Sequence, residues 1–233
     1  MPAGAPGGRR ARLAGARVIA SAFIFDLDGV LTDTAEFHYQ AWKRLADEQG
    51  LPFTREDNEA LRGVSRRDSL LLLLKGKALP EETLQAWMAR KNNYYLGLVA
   101  QMTPADLLPG VLPLLNSLRT RKIRIALGSA SRNAPQVLGL LGIAGYFDVV
   151  ADGGSVERQK PAPDLFLHAA AQLGLPPSAC VVVEDAEAGV QAALAGGFRC
   201  IGIGPRERVG AAHLVIANLV DGADQIEAFA LAG

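Results

Sequence analysis

Four carboxylates occur in two short acidic pairs, each at the end of an apolar run. Asp26 and Asp28 lie two residues apart after one run, and Glu184 and Asp185 end another. Burying carboxylates together is costly unless a cation compensates their charge. Oxygen ligands facing a partly open site are typical of Mg²⁺, which keeps some waters and takes phosphate oxygens. An isolated Asp-x-Asp is more often a turn or a helix cap, but the two pairs together predict a metal site for a phosphorylated substrate.

Two further residues could bind the phosphate itself. Ser129 follows the apolar run 125–128, where its hydroxyl and the adjacent amides could contact phosphate oxygens. Lys160 could offset the repulsion between a carboxylate and a phosphoryl group. Gly29 lets the chain turn sharply after the acidic pair, so that backbone amides can approach a phosphate. Taken singly, Ser129 could be a helix cap and Lys160 a surface charge. Their combination with the carboxylates favours phosphoryl chemistry.

Apolar runs and amphipathic stretches alternate along most of the chain. Five short apolar runs predict buried strands at residues 18–27, 123–128, 147–151, 180–184 and 200–203. Amphipathic stretches of helix length lie between the later runs, at residues 111–121, 134–141, 163–173 and 188–195. This order predicts an α/β fold, a Rossmann-like open parallel sheet covered on both faces. Ligands of such sheets bind at the carboxyl ends of the strands, where the carboxylates and Ser129 fall.

The region between the first two predicted strands contains no convincing strand. Its pattern predicts helices at residues 35–49, 54–61, 68–74 and 81–98. We therefore expect an α-helical cap domain, residues 34–104, inserted into a core domain of residues 21–33 and 105–233. Residues 1–20 are rich in Ala, Gly and Arg but have no continuous apolar segment, so a flexible N-terminal tail is expected.

Composition limits the classes of partner. The chain has 233 residues, 49% of them hydrophobic, with 24 Lys and Arg against 24 Asp and Glu. Because no basic field is present, we expect no nucleic-acid partner and no membrane partner. Cys180 and Cys200 lie among apolar residues and are interpreted as free thiols rather than a disulfide. A cytoplasmic monomer is expected.

The order of these polar residues resembles the four motifs of the haloacid dehalogenase superfamily of phosphotransferases. The motifs are Asp26-x-Asp28, Ser129, Lys160 and Glu184-Asp185, and the likeness extends from residue 23 to about residue 204. The resemblance implies that Asp26 is the nucleophile that forms an aspartyl phosphate. It implies that Asp28 is the general acid and base.

The resemblance also implies a metal site and a phosphate site. Mg²⁺ would be held by Asp26, the backbone carbonyl of Asp28 and Asp185, with Glu184 nearby. The transferring phosphoryl group would be bound by Ser129, the Ala130 amide and Lys160. Relatives have a cis peptide bond between this lysine and the following proline, and the sequence leaves open whether Lys160–Pro161 shares it.

Segments of the cap resemble one branch of the superfamily, which interconverts β-D-glucose 1-phosphate and β-D-glucose 6-phosphate. Its reaction passes through β-glucose 1,6-bisphosphate, which is both activator and intermediate. The resemblance implies that Thr34 is the hinge between core and cap. It implies further substrate-binding residues, namely His38, Trp42 and Lys91, then Gly63, Val64, Arg66 and Ser69 from a loop of residues 63–69, and Ser131, Arg132 and Asn133 from the core. Arg132 departs from the family pattern, which has lysine there, and arginine is not equivalent to lysine as a phosphate ligand.

The expected partner is a small-molecule sugar phosphate. A sugar-phosphate or phosphoglycolate phosphatase would use the same Asp26 and Asp28, so only the cap residues separate it from a mutase, and they favour the mutase. A catalytically inactive binding module would be expected to lack one of the carboxylates, and none is missing.

Overall fold

The core is a six-stranded sheet with the order β3-β2-β1-β4-β5-β6, in which every neighbouring pair is parallel. The computed structural model describes residues 20–231. The strands are β1 Ala22–Phe25, β2 Arg124–Gly128, β3 Val149–Ala151, β4 Cys180–Glu184, β5 Arg199–Ile203 and β6 Leu214–Ile216. The predicted α/β fold with an open parallel sheet is confirmed. The apolar-run pattern misses β6, a strand of only three residues in which Leu214 and Val215 are half-buried and Ile216 is buried.

Helices lie between and beyond the strands. They are α1 Ala35–Glu48, α2 Arg55–Glu59, α3 Arg66–Leu73, α4 Glu81–Val99, α5 Val111–Thr120, α6 Ala134–Leu140, α7 Asp164–Gln172, α8 Glu187–Ala195, α9 Arg206–Val209 and α10 Ala223–Leu231. Short 3₁₀ turns occupy Pro104–Asp106, Ala144–Tyr146 and Pro177–Ala179. Within the described residues, no helix is both long enough and apolar enough to cross a membrane.

Both faces of the sheet are buried, which explains why the central strand is a continuous apolar run. Phe23 and Phe25 point into one hydrophobic cluster, while Ala22 and Ile24 point into the other. All four side chains are fully buried because helices cover each face. Strand β1 pairs with β2 on one side and β4 on the other, so the residues after β1 lie at the middle of the sheet edge.

The cap, α1 to α4, has a hydrophobic cluster of its own, which includes Trp42, Phe53, Leu70 and Met88. Helices α1 and α4 make its most extensive contact. Helices α1 and α4 also place Ala41, Tyr95 and Val99 in the hydrophobic cluster on one face of the sheet, so the cap packs both on itself and on the core. The boundaries predicted at residues 34 and 104 stay a prediction.

The predicted first strand, residues 18–27, is longer than β1. The predicted tail ends at residue 20, but Ala20 is buried and its N–H donates to the Ala230 carbonyl at 2.9 Å. Residue 20 therefore belongs with the core. The rest of the predicted tail, residues 1–19, lies outside the described residues.

Candidate active site between core and cap

Asp26 lies directly after β1, at the centre of the sheet edge. Its N–H donates to the Val183 carbonyl at 2.9 Å, which continues the pairing of β1 with β4. Its Oδ1 accepts a hydrogen bond from Lys160 Nζ at 2.7 Å, and its Oδ2 accepts one from the Asp28 N–H at 3.1 Å. The carboxylate lines the large cavity between core and cap and is held in one orientation. A fixed, accessible carboxylate is what a nucleophile requires.

Lys160 is a fully buried cation between two carboxylates. Its Nζ is 2.7 Å from Asp26 Oδ1 and 2.6 Å from Glu184 Oε1. Burial by itself lowers the pKa of Lys160, but the two carboxylates outweigh burial and raise the pKa above its ordinary value. The side chain therefore stays charged at neutral pH. The peptide bond Lys160–Pro161 is cis, which settles the question that the sequence left open.

Three buried carboxylates converge beside this lysine. Oxygens of Asp26, Glu184 and Asp185 all lie within 4.8 Å of one another. Burial, and then repulsion from the other two carboxylates, raises the pKa of Asp185 to about 8. Such a cluster is more stable with a cation than without one, and a set of oxygen donors suits Mg²⁺. The three carboxylates therefore fit the Mg²⁺ site that the sequence predicts.

The turn after the acidic pair requires glycine. Gly29 has φ +79°, a conformation that other residues rarely adopt. A Cβ atom there would also lie 2.2 Å from Asp185 Oδ2. A larger residue in place of Gly29 would strain the backbone and would clash with Asp185.

Asp28 has a different environment from Asp26. Its Oδ1 accepts a short hydrogen bond from the buried Thr34 hydroxyl, and its Oδ2 is 4.0 Å from His38 Nε2. Burial, with a further contribution from Asp26, raises the pKa of Asp28 to about 7. A carboxyl group with a pKa near the working pH can both donate and accept a proton. Thr34 also precedes α1, so the hydrogen bond joins the start of the cap to Asp28.

Thr34→Val should lower the rate of phosphoryl transfer to a sugar about 10-fold, because a hydrogen bond to a charged group contributes roughly 1.5–3 kcal/mol. The measurement is kcat for formation of the product sugar phosphate. Thr34→Ser keeps the hydroxyl and should retain most of the rate. If the valine and serine variants are equally impaired, the hydroxyl has no role in positioning Asp28.

In the cap, the buried Lys91 pairs with the half-buried His38. Lys91 Nζ is 2.9 Å from His38 Nδ1 and lies 4.8 Å from the ring centroid of Trp42. Burial lowers the pKa of Lys91 well below its usual value, with Arg66 lowering it further. Burial likewise lowers the pKa of His38, with help from Lys91, so the imidazole is neutral at neutral pH. The imidazole of His38 and the terminal amine of Lys91 can both hydrogen-bond sugar hydroxyls.

The loop after β2 presents its polar groups at the same edge. Ser129 Oγ accepts from the Ser131 N–H at 3.2 Å, and Ser131 Oγ accepts from the Asn133 N–H at 3.2 Å. Asn133 also reaches the cap, because its Nδ2 donates to Asn92 Oδ1 at 2.8 Å. Arg132 Nε donates to the Gly153 carbonyl at 3.3 Å, which leaves the rest of its guanidinium available to a ligand.

The segment 63–69 is not a loop throughout, and that expectation is wrong. Helix α3 begins at Arg66, because Ser65 caps it by accepting a hydrogen bond from the Asp68 N–H at 3.1 Å. Gly63 and Val64 precede the helix, and Ser69 is buried inside it. Arg66 is therefore held on the first turn of a helix, where its pKa is lowered by burial and by Arg132.

A cavity of about 940 Å³ between core and cap gathers most of the predicted residues. Its lining includes Asp26, Asp28, His38, Trp42, Gly63, Val64, Arg66, Ser69, Lys91, Ser129, Ala130, Ser131, Arg132 and Asp185. Thr34, Asn133 and Lys160 do not line it, but each hydrogen-bonds a residue that does, and Glu184 is hydrogen-bonded to Lys160. The size is typical of a site for a small molecule.

Some residues of the site were not found from the sequence. Arg62 Nη1 lies 3.3 Å from Asp185 Oδ2, and Arg208 Nη2 lies 3.5 Å from the same oxygen. Tyr95 packs against His38 with 4.2 Å between ring centroids and the ring planes tilted by 38°, and Asn92 meets Asn133. Tyr95 could have been inferred from its position one helical turn after Lys91. No signal in the sequence marks Arg208.

Comparisons with known proteins agree with this geometry. A family model described as haloacid dehalogenase-like hydrolase matches residues 20–197. β-Phosphoglucomutase of Bacillus subtilis (strain 168) is 44% identical over 204 residues, covering 86% of this chain and 90% of that protein. The crystal structure of β-phosphoglucomutase from Clostridium difficile superposes with a TM-score of 0.87 at 39% identity, covering 91% of this chain and 96% of that one.

A phosphatase is also among the relatives. The phosphorylated carbohydrates phosphatase of Thermotoga maritima is 30% identical over 213 residues, which is 91% of this chain and 92% of that protein. The match to the family model and the similarity to these proteins cover most of the chain. The chain therefore belongs to the haloacid dehalogenase-like hydrolase family.

Proposed function

We propose that this chain interconverts β-D-glucose 1-phosphate and β-D-glucose 6-phosphate through an aspartyl phosphate on Asp26. The observation that carries the proposal is a second cationic site in the same cavity. Arg66 from the cap and Arg132 from the core are close enough for their charges to interact, and no carboxylate within residues 20–231 pairs with Arg66. A phosphatase needs one phosphate site, whereas a mutase must also hold a phosphate that does not react. The similarity to β-phosphoglucomutases supports the same reading.

The chemistry follows from the two aspartates. An oxygen of Asp26 attacks phosphorus, and the bond from phosphorus to the sugar oxygen breaks while Asp28 gives that oxygen a proton. In the return step, a sugar hydroxyl gives its proton to Asp28 and attacks the phosphorus of the aspartyl phosphate. A pKa of about 7 suits Asp28 to both directions. Lys160 and the 129–131 loop stabilise the charge of the transferring group, which is the main demand of this reaction.

The proposed metal is Mg²⁺, held by Asp26, Asp185 and the backbone carbonyl of Asp28, with Glu184 nearby. When bound there, Mg²⁺ supplies positive charge that offsets the charge on the phosphoryl oxygens. The support is the buried cluster of carboxylates and the raised pKa of Asp185. Lys160 pairs with Asp26 and Glu184, whereas Arg62 and Arg208 approach Asp185 at its Oδ2 atom.

Asp185→Asn should weaken Mg²⁺ binding at least about 10-fold, because it removes one charged ligand. Isothermal calorimetry of metal-free protein titrated with MgCl₂ measures this directly. Asp152→Asn is the matched control, since Asp152 also follows a strand but bonds within its own turn. Equal Mg²⁺ affinity for parent and Asp185→Asn protein would contradict the assignment.

The proposed cycle needs the sugar to bind in two orientations. In one, the 1-phosphate is beside Asp26 and the 6-phosphate is held by Arg66 and Arg132, and in the other the two phosphates exchange places. β-Glucose 1,6-bisphosphate is the species present between the two transfers and, supplied from outside, the activator that first phosphorylates Asp26.

Arg66→Ala should reduce mutase turnover about 100-fold but leave hydrolysis of acetyl phosphate within about 3-fold, because acetyl phosphate has no second phosphate. Both rates are measured on the same preparation. Arg90→Ala, which removes an exposed arginine of α4, is the control and should affect neither. Equal loss of both activities would show that Arg66 does not bind the second phosphate.

A coupled assay separates the mutase from a phosphatase. The enzyme receives β-glucose 1-phosphate, Mg²⁺ and the bisphosphate, and glucose 6-phosphate is detected with its dehydrogenase while released phosphate is measured in parallel. We expect glucose 6-phosphate without matching phosphate release. Phosphate release without isomerisation would select a sugar-phosphate phosphatase.

The proposed partner is a small-molecule sugar phosphate, and the proposed state is a monomer in the cytoplasm. One chain provides both the core and the cap walls of the cavity, so a second copy is not needed to complete it. The two free buried thiols, Cys180 and Cys200, are compatible with a reducing compartment.

A further inference from the structure

Asp185 is held by two arginines, one from the cap and one from the core. Arg62 belongs to the cap, and its Nη1 is 3.3 Å from Asp185 Oδ2. Arg208 belongs to α9 of the core, and its Nη2 is 3.5 Å from the same oxygen. Arg208 also donates from Nε to the backbone carbonyl of Asp185 at 2.6 Å. Main chain and side chain of Asp185 are therefore both tied to α9.

Glu59 closes these contacts into a ring. It is the last residue of α2 in the cap, and its Oε2 is 2.8 Å from Arg62 Nε. The same oxygen is 3.8 Å from Arg208 Nη1. Two carboxylates and two guanidinium groups thus alternate around the ring, in the order Asp185, Arg62, Glu59, Arg208. We call these four residues the latch cluster.

The latch cluster is divided equally between cap and core. Two of its ion pairs cross the gap, Arg62 with Asp185 and Arg208 with Glu59. The other two stay within one body, Arg62 with Glu59 in the cap and Arg208 with Asp185 in the core. If the cap moves away, every charge keeps one partner. Opening of the cap therefore leaves no charge of the cluster without a partner. Closure of the cap adds the two ion pairs that join cap and core.

The backbone next to the latch cluster approaches the core closely. A Cβ atom on Gly63 would lie 2.9 Å from the Ala186 Cβ, which is tighter than ordinary contact. Gly63 follows Arg62, and Ala186 follows Asp185, so the cap loop rests directly on the end of β4. The cap therefore touches the core directly beside the latch cluster.

We propose that Glu59 and Arg208 are positioning residues that hold the cap closed over the cavity. Closure excludes water, so the phosphoryl group on Asp26 passes to a sugar hydroxyl instead of being hydrolysed. The expected effect on the ratio of products rests on the proposed mutase function. The expected effect on cap closure does not depend on that function. Neither residue contacts the reacting atoms, and Arg208 acts through its contacts with Asp185 and Glu59.

Glu59→Gln, Arg208→Met and the double variant test the proposal, with Arg206→Met on the same helix as the matched control because its side chain is exposed. The first readout is amide hydrogen exchange of residues 58–64 and 185–190 in protein without substrate. The second is the ratio of phosphate released to glucose 6-phosphate formed.

Each single variant should raise that ratio about 3–10-fold and accelerate exchange of the 58–64 segment by a similar factor, while Arg206→Met changes neither. The double variant should match Arg208→Met within about 2-fold. Both changes break the one ion pair between cap and core that these residues share, Arg208 with Glu59. Additive effects, or unchanged exchange in Glu59→Gln protein, would overturn the proposal.

The two readouts also separate this proposal from the mutase assignment. If the parent enzyme forms no glucose 6-phosphate, the mutase assignment fails while hydrogen exchange still decides whether the latch cluster holds the cap. If the parent is an active mutase but the exchange and the ratio do not change in the variants, the latch role fails alone.

Discussion

Asp26→Asn should reduce the rate of phosphoryl transfer about 10⁴-fold or more, whichever acceptor is used. The amide that replaces the carboxylate is a poor nucleophile and cannot form the aspartyl phosphate. Both the mutase reaction and the hydrolysis of acetyl phosphate should be lost together. This joint loss distinguishes Asp26 from Arg66, which we expect to affect mainly the mutase reaction.

The measurement is a single-turnover reaction with ³²P-labelled acetyl phosphate, followed by acid quench and counting of label on the protein. Parent protein should retain acid-stable label and the Asp26→Asn variant should not. Asp224→Asn, an exposed carboxylate of α10, is the control and should label like the parent. Labelling of the Asp26→Asn variant at the parental level would place the nucleophile elsewhere.

Lys160→Met should lower the free energy of unfolding by about 3–5 kcal/mol in addition to removing activity. The change leaves Asp26 and Glu184 buried without the cation that bonds both at 2.7 and 2.6 Å. Removing one partner from a buried ion network is costly because the remaining charges are uncompensated. Urea unfolding in the presence of EDTA measures the loss, and Lys77→Met, an exposed lysine of the cap, should leave stability within about 0.5 kcal/mol of the parent.

A second change distinguishes the electrostatic cause from simple loss of packing. The double variant Lys160→Met with Glu184→Gln has one uncompensated carboxylate fewer, so it should be more stable than Lys160→Met alone. It should remain inactive, since the charge beside the phosphoryl group is still missing. If the double variant is less stable than the single one, the loss comes from packing and not from unpaired charge.

The residues that gather at one edge of the sheet could be predicted from the sequence, because the parallel topology alone determines which residues lie there. Parallel strands end at the same edge, so residues that follow β1, β2 and β4 must lie close together. Asp26, Ser129 and Asp185, which directly follow these strands, therefore line the same cavity in the structure. The helix ends of the cap fall within two residues of the predicted ones because the apolar period is clear there.

Contacts between distant segments could not be predicted in the same way. Arg208 lies in a four-residue helix without periodicity, and its approach to Asp185 depends on how β5 leads into α9. The pairing of His38 with Lys91 depends on the packing of α1 against α4, which fixes two residues that are 53 positions apart. Burial decides the pKa of Asp28 and of Lys91, and burial is a property of the folded chain and not of local sequence.

The most direct test of the central claim is a ³¹P NMR time course with β-glucose 1-phosphate, Mg²⁺ and a trace of β-glucose 1,6-bisphosphate. One spectrum reports the substrate, glucose 6-phosphate and inorganic phosphate at once. We predict that the 1-phosphate signal is replaced by that of glucose 6-phosphate, with inorganic phosphate no greater than the trace of bisphosphate added. Growth of the inorganic phosphate signal in step with loss of substrate would contradict the claim and identify the chain as a phosphatase.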